Sequence, residues 1–241
     1  MLFNALYKYL KKQSFQPDFL SLFLNPFFFI RSSLYRGIKL QAPNLKGKLM
    51  DFGCGRKPYR NLFSVDEYIG VDIEQAGHDH SNSEIDFFYN GKVLPFMNKN
   101  FDSIFCSEVL EHVFNPDEII PELNRVLKSN GKILITVPFC WNEHEVPYDY
   151  ARYSSFGIVA LLEKNGFEIV EQKKTGSFVP VLFQLWSLYF FELFRKLGKM
   201  GYFFSMMFII PMNLVGSVLQ YLFPKNHSMY FNNVVLAKKI N

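Results

Sequence analysis

An α/β fold with an open, mostly parallel sheet is what this 241-residue sequence predicts. Short apolar runs that end in an acid or a turn recur at roughly 20-residue spacing, as buried parallel strands do. The first of them, Leu49-Met50-Asp51-Phe52, breaks directly into Gly53-Cys54-Gly55. That is how a buried strand reads when it turns sharply towards a ligand at its carboxyl end. Between later runs lie stretches with helical spacing, such as the one carrying Ile119, Leu123, Val126 and Leu127 on one face.

Residues 1–47 form an amino-terminal segment rich in basic and aromatic residues. Leu2, Phe3, Leu6, Tyr7 and Leu10 fall near one helical face, with Lys8, Lys11 and Lys12 towards the other. Phe19–Ile30 is apolar but interrupted by Asn25-Pro26, so a helix, a proline-marked turn and a second helix through about Lys39 are expected. The run is too short to span a bilayer and lacks the basic start and cleavage site of a secretory signal. It suits an interfacial anchor, a lid over the ligand site, or plain packing against the domain.

Gly53 and Gly55 let the backbone adopt conformations barred to other residues and approach a bound molecule closely. A dinucleotide site would want a third glycine three positions on, and position 58 is proline. A carboxylate just before the glycines suits instead a ligand with a cationic end. Tyr68–Ile73 is the next strand, ending at Asp72, a carboxylate placed to accept hydrogen bonds from ribose hydroxyls. Gln75–Ser83 is a polar loop whose His78 and His80 lack a third ligand, so no metal site is expected. Ile85–Tyr89 is a short strand followed by Asn90-Gly91, and Phe101–Ser107 is another, running into Glu108-Val109-Leu110-Glu111-His112.

Asn115-Pro116-Asp117-Glu118 starts a helix with a cap, a proline in the first turn and acids at the positive dipole end. Ser129-Asn130-Gly131 stops it, and Lys132–Val137 is a buried strand. The segment Phe139–Tyr153 gathers Trp141, His144, Glu145, Tyr148, Asp149, Tyr150 and Arg152 at that strand's carboxyl end, where open α/β sheets place their ligands. Ser154 caps a further helix, Gly166 ends it, and Phe167–Lys174 and Tyr230–Lys239 are strands.

Asp51-Phe52-Gly53-Cys54-Gly55 resembles the D/E-x-G-x-G motif of class I S-adenosylmethionine-dependent methyltransferases. Phe101–Val113 is similar to the fourth-strand region of family members acting on quinones, sugars and small molecules. His144-Glu145 through Ser154 looks like methyltransferases encoded with bacterial surface-polysaccharide pathways. The resemblance implies a Rossmann-like sheet with an antiparallel seventh strand, and S-adenosyl-L-methionine as cofactor. It places the cofactor on Asp51, Gly53, Cys54, Gly55, Asp72, Ile73, Asn90, Gly91, Ser107 and Glu108. Asn90 stands where the family usually has Asp, and its carbonyl still accepts from the adenine amine. Trp141, Tyr148 and Arg152 fall on the acceptor side. His112 or His144 is the candidate general base.

In that fold the sixth and seventh strands pair directly, so residues 176–225 are an insertion and the domain comprises 48–175 and 226–241. Thr175–Phe191 and Met200–Pro224 contain no charge. Because both flanking strands belong to one sheet, the insertion crosses a membrane twice or not at all. Two crossings would export Arg195, Lys196 and Lys199 against the rule that basic loops stay cytoplasmic. A shallow or re-entrant helical hairpin at the cytoplasmic face of the cell membrane is favoured, with a buried homodimer interface or accessory bundle as the alternative.

Charge supports a lipid surface over nucleic acid. Net charge is only +4, yet residues 1–48 carry eight Lys/Arg against Asp18 alone, giving +7 and leaving −3 for the rest. Three scattered cysteines imply neither a disulfide framework nor zinc. The expected function is methyl transfer to a lipid-linked saccharide or other glycan precursor. Alternatives are methylation of a quinone or other membrane lipid, and a membrane-tethered module that binds the cofactor without turnover.

Overall fold

A computed structural model describes residues 9–74 and 84–240. The polar loop expected around His78 and His80, and the helical face expected for Leu2, Phe3, Leu6 and Tyr7, lie outside the described residues. Contacts cluster the chain into two units.

One unit, spanning Gly37–Lys173 and Asn233–Asn241, holds the sheet. Its strands are β1 (Lys48–Phe52), β2 (Glu67–Ile73), β3 (Phe87–Tyr89), β4 (Phe101–Ser107), β5 (Leu127–Pro138), β6 (Phe167–Lys174) and β7 (Asn232–Lys239), in the order β3-β2-β1-β4-β5-β7-β6. Strands β1 to β5 pair in parallel. The Thr175 amide donates to the Asn232 carbonyl and the Phe231 amide to the Thr175 carbonyl at one end, while the Ile240 amide reaches the Gly166 carbonyl at the other, so β7 runs antiparallel to β6. The central strands are buried on both faces, as parallel sheets are. Met50, Phe52, Val71, Ile104, Ile133, Ile135 and Val235 share one core.

Helix α3 (Pro116–Val126) starts where expected, but Asn115 makes no capping bond; its amide donates to Glu118 Oε1 instead. Ser154 does cap α4 (Ser155–Lys164), accepting from the Gly157 amide at 3.1 Å. Strand β5 begins five residues before the predicted start, passing through Asn130 at φ 62 and a register shift opposite β4. Ser129-Asn130-Gly131 therefore bends a strand, because Asn tolerates the left-handed backbone inside an extended segment.

The second unit joins residues up to Arg36 with Lys174–Asn232. It contains α1 (Ser21–Leu24), most of α2 (Phe28–Gln41), and the hairpin α5 (Phe178–Arg195) and α6 (Gly198–Leu222). The break at Asn25-Pro26 leaves backbone groups without helical partners. Hairpin side chains supply them. Gln184 Oε1 accepts from the Phe29 and Ile30 amides while its Nε2 donates to the Pro26 carbonyl. Asn213 donates to the Leu22 and Asn25 carbonyls, and the Tyr202 hydroxyl to that of Leu24. A Cβ at Gly216 would lie 2.7 Å from the Phe183 ring and 2.8 Å from Phe29, so glycine there sets how closely the helices approach. α6 is long and apolar enough to cross a membrane, and only 28% of its most apolar stretch is buried.

Candidate active site

The sheet order reverses between β1 and β4, and open α/β sheets bind ligands in the crevice beyond such a switch point. Gly53, at φ 72, donates to the Val71 carbonyl. A Cβ on Gly53 would come within 2.2 Å of the Val109 side chain, so the glycine admits the segment after β4. Gly55, at φ 47, has open space where a Cβ would stand. This is the cradle a ligand backing onto the turn requires.

Asp72 holds the turn. Its Oδ2 accepts from the Gly55 amide at 2.9 Å and its Oδ1 from the Ile73 amide at 2.9 Å. Each carboxylate oxygen keeps a second lone-pair direction for a ribose hydroxyl. Asn90 closes its own turn, accepting from the Lys92 and Val93 amides, beside Gly91 at φ 81. Cys54 is buried, and burial pushes its thiol well above the usual range, which makes it a wall and not a nucleophile.

Asp51 is 4% exposed and accepts from the Tyr68 hydroxyl at 2.6 Å. Burial raises its carboxyl to about 7, against the opposing pull of Tyr68 and Lys57. Lys57 passes over Gly70, where a Cβ would lie 2.3 Å from its Cε, to reach Asp86 at 2.6 Å. Tyr68 and Lys57 carry no motif; β-strand periodicity places Tyr68 on the face of Asp51, which the register Leu49↔Tyr68 and Asp51↔Gly70 realises.

Beyond β4, Glu108 adopts φ 54 and its amide donates to the Thr136 carbonyl. The Thr136 hydroxyl donates to Glu108 Oε1 at 2.8 Å, so the Ser107 hydroxyl, also 2.8 Å from it, is the donor in that pair. Thr136 is the link that sequence reasoning missed. Glu111 is completely buried, and neither carboxylate oxygen has a hydrogen-bond partner. Burial, with Glu108 nearby, holds its carboxyl well above the usual range.

The acceptor-side loop folds onto this segment, its Tyr150 and Ala151 amides donating to the Glu111 carbonyl. His112 and His144 meet edge to face with ring centroids 4.8 Å apart. His112 Nδ1 lies 2.9 Å from the Tyr148 carbonyl oxygen, and its Nε2 lies 3.3 Å from Glu145 and 3.9 Å from Glu111. Burial and the neighbouring His112 lower the His144 imidazole below its ordinary value, keeping it neutral. Asp149 receives the His144 amide and two guanidinium bonds from Arg152, and is held at about 2.

Arg152 also donates to the carbonyls of Trp141, Asn142 and Ala151. All five of its N–H groups are thus spent on the loop, which makes it a brace where an acceptor contact was expected. Tyr148 is exposed and Trp141 half-buried on the same loop. A separate cavity of about 460 Å³, lined by Lys48, Glu67 and Asn100, opens at the other end of the strands, away from this chemistry.

A family model described as a methyltransferase domain matches residues 50–135. The chain carries a methyltransferase domain. In sequence the methyltransferase is 28% identical over 159 residues to the uncharacterized protein MJ1123 of Methanocaldococcus jannaschii, covering 61% of this chain and 76% of that one. It is 25% identical over 187 residues to a ubiquinone biosynthesis O-methyltransferase of Ruegeria, covering 64% and 72%. In structure it is similar to Haemonchus contortus phosphoethanolamine N-methyltransferase 2 bound to S-adenosyl-L-methionine. There the TM-score is 0.53 at 20% identity, over 92% of this chain and 56% of that one. The open space at Gly55, the buried acid at Asp51 and the Asp72 carboxylate fit S-adenosylmethionine, which is the cofactor of this methyltransferase.

Proposed function

We propose that this S-adenosylmethionine-dependent methyltransferase methylates a hydroxyl of a lipid-linked saccharide or comparable glycan precursor at the cytoplasmic membrane face. The observation that carries the hydroxyl acceptor is the His112–His144 pair beside Glu145, at the carboxyl end of the sheet. Its neutral imidazole and acidic neighbours are groups that take up a hydroxyl proton near neutral pH.

The chemistry is an in-line displacement. Bound at this site, S-adenosylmethionine would supply a methyl group on a cationic sulfur able to leave as a neutral thioether. The hydroxyl proton passes to the cluster. The chain's task is to align the acceptor and remove its hydroxyl proton. Asp51 would hold the cofactor's cationic end, Asp72 its ribose, and Asn90 and Gly91 its adenine side.

The lipid character rests on the hairpin. Leu182, Trp186, Tyr189, Phe203, Met207 and Val218 are all exposed, with basic Arg195, Lys196 and Lys199 around the connector. An apolar exposure of this extent on a monomer marks an interaction surface, and a bilayer with anionic headgroups matches both its apolar and basic parts. The likeness to a ubiquinone O-methyltransferase favours a second reading, in which the acceptor is a quinone ring hydroxyl.

Incubating the protein with methyl-labelled cofactor and membrane extract, then fractionating the label, separates these readings. Label in lipid-linked glycan is the expected result, and label in quinone selects the second reading. No label in either fraction, with cofactor still bound, would identify a binding module without turnover.

A further inference from the structure

We infer that Glu111, His112 and His144 form a binding site for one divalent transition-metal ion. The three residues come from two segments, the turn after β4 and the loop after β5, and each offers a ligand atom within 4.8 Å of the others. Donors of a bound tetrahedral set stand roughly 3.4 Å apart, so binding an ion would draw the three side chains closer together.

Three features set this cluster apart from an ordinary group of polar side chains. The first is Glu111, which is completely buried with neither carboxylate oxygen hydrogen-bonded, His112 Nε2 standing 3.9 Å away. An orphaned buried acid is costly unless something compensates it, and a cation does so directly. Secondly, both imidazoles are oriented as metal ligands usually are. His112 Nδ1 faces the Tyr148 carbonyl at 2.9 Å, and His144 Nδ1 faces the Asn142 carbonyl and Asp149, each at 3.3 Å. Donating Nδ1–H to those oxygens makes both Nε2 atoms acceptors, and an ion would take the His112 Nε2 lone pair that otherwise faces the Glu145 carboxylate at 3.3 Å. Finally, the carboxylate behind His144 is itself fixed by the bidentate Arg152 contact, so the orientation is braced two layers deep.

Two imidazoles and one carboxylate suit zinc, manganese, cobalt or ferrous iron better than magnesium or calcium, which prefer oxygen donors. Resting on the hydroxyl-acceptor reading, the ion's part is to bind the acceptor oxygen and lower its hydroxyl pKa. The imidazoles then serve as ligands, and the proton passes to the Glu145 carboxylate, 3.3 Å from His112 Nε2.

The test is direct metal binding, read without turnover. Full-length protein is stripped with chelator, reloaded with Zn²⁺ or Co²⁺, and followed by elemental analysis, calorimetry and the visible absorption of bound Co²⁺. One ion per chain is expected, weakened at least tenfold in Glu111→Gln and in His144→Ala, with S-adenosylmethionine affinity retained as the control for folding. Asp149→Asn should weaken it about 10–100-fold through His144. No retained ion, or an affinity unchanged in both ligand variants, would overturn the site. An ion that binds as described without any hydroxyl methylation in membrane extract would leave the site standing and sink the acceptor reading instead.

Discussion

The Tyr68 hydroxyl donates to Oδ2 of Asp51 at 2.6 Å, joining β2 to the buried acid that precedes the glycine turn. Asp51 titrates at about 7, above the ordinary 3.8, chiefly because burial penalises its charge. The neutral carboxyl therefore favours the folded, unliganded protein: this contribution is complete below about pH 4 and is lost as pH rises through 7. A cationic ligand end needs the ionised form. Cofactor affinity should rise from pH 5 to pH 8 and level off, with protons released on binding below pH 7. Tyr68→Phe removes a bond that holds the ionised form and should move the midpoint upward. Calorimetry in buffers of differing ionisation enthalpy checks both, and a pH-independent affinity would refute the role of Asp51.

The two turn glycines should behave differently. Gly53→Ala meets Val109 as well as an unfavourable φ, so it should cost stability beyond the roughly 1–2 kcal/mol of left-handed backbone alone. Gly55→Ala meets no atom and should cost only that strain, while its methyl group enters the ligand space. Thermal melts set against cofactor titrations separate them: Gly53→Ala lowers Tm more, and Gly55→Ala loses more affinity relative to its stability. Equal losses in both would mean that the cradle is not where the cofactor rests.

Asp149 organises the acceptor loop by holding Arg152 and the His144 amide. Asp149→Ala should cost about 1–3 kcal/mol of stability and leave cofactor affinity within a few-fold. Turnover should fall, because His144 loses its support. With the carboxyl held at about 2, the Arg152 contact should persist down to pH 4, so loop protection in hydrogen exchange should be the same at pH 4 and pH 8.

His112→Ala and His144→Ala should each retain cofactor binding and lose turnover by about 10²–10⁴-fold, the usual worth of proton removal, because either change disables the cluster through which the acceptor proton leaves. Near-normal turnover in both would point to an acceptor that needs no deprotonation.

Membrane association should resist high salt, since apolar burial is not screened while charge attraction is. Glutamate at Phe203, Met207 and Val218 together should release the protein into the soluble fraction. Excising residues 177–224 is the wrong control. It would strip Gln184, Tyr202 and Asn213 from the backbone groups around Pro26, leaving the amino-terminal helices without partners. Flotation with anionic vesicles reads the outcome, and a soluble dimer that the glutamates dissociate would identify an oligomer interface.

Sequence alone determined the sheet, because burial on both faces forces continuous apolar runs and each sharp turn demands its own residues. It also singled out Asp51, Gly53, Gly55 and Asp72 as candidates, which sit where strands end and backbone conformation restricts residue choice. It indicated a hydrophobic insertion from the absence of charge. Only tertiary structure decided what meets across segments. Tyr68 reaches Asp51 through strand register, and His144 meets His112 because a loop after β5 folds back onto the turn after β4. Arg152, a candidate acceptor contact by residue type, is consumed by its own loop. Gln184 and Asn213 look like flaws in apolar helices, yet they satisfy a broken helix more than 150 residues earlier. Hydrogen-bond pairing of buried groups is set by proximity in space, and residue order records that only within a turn or two.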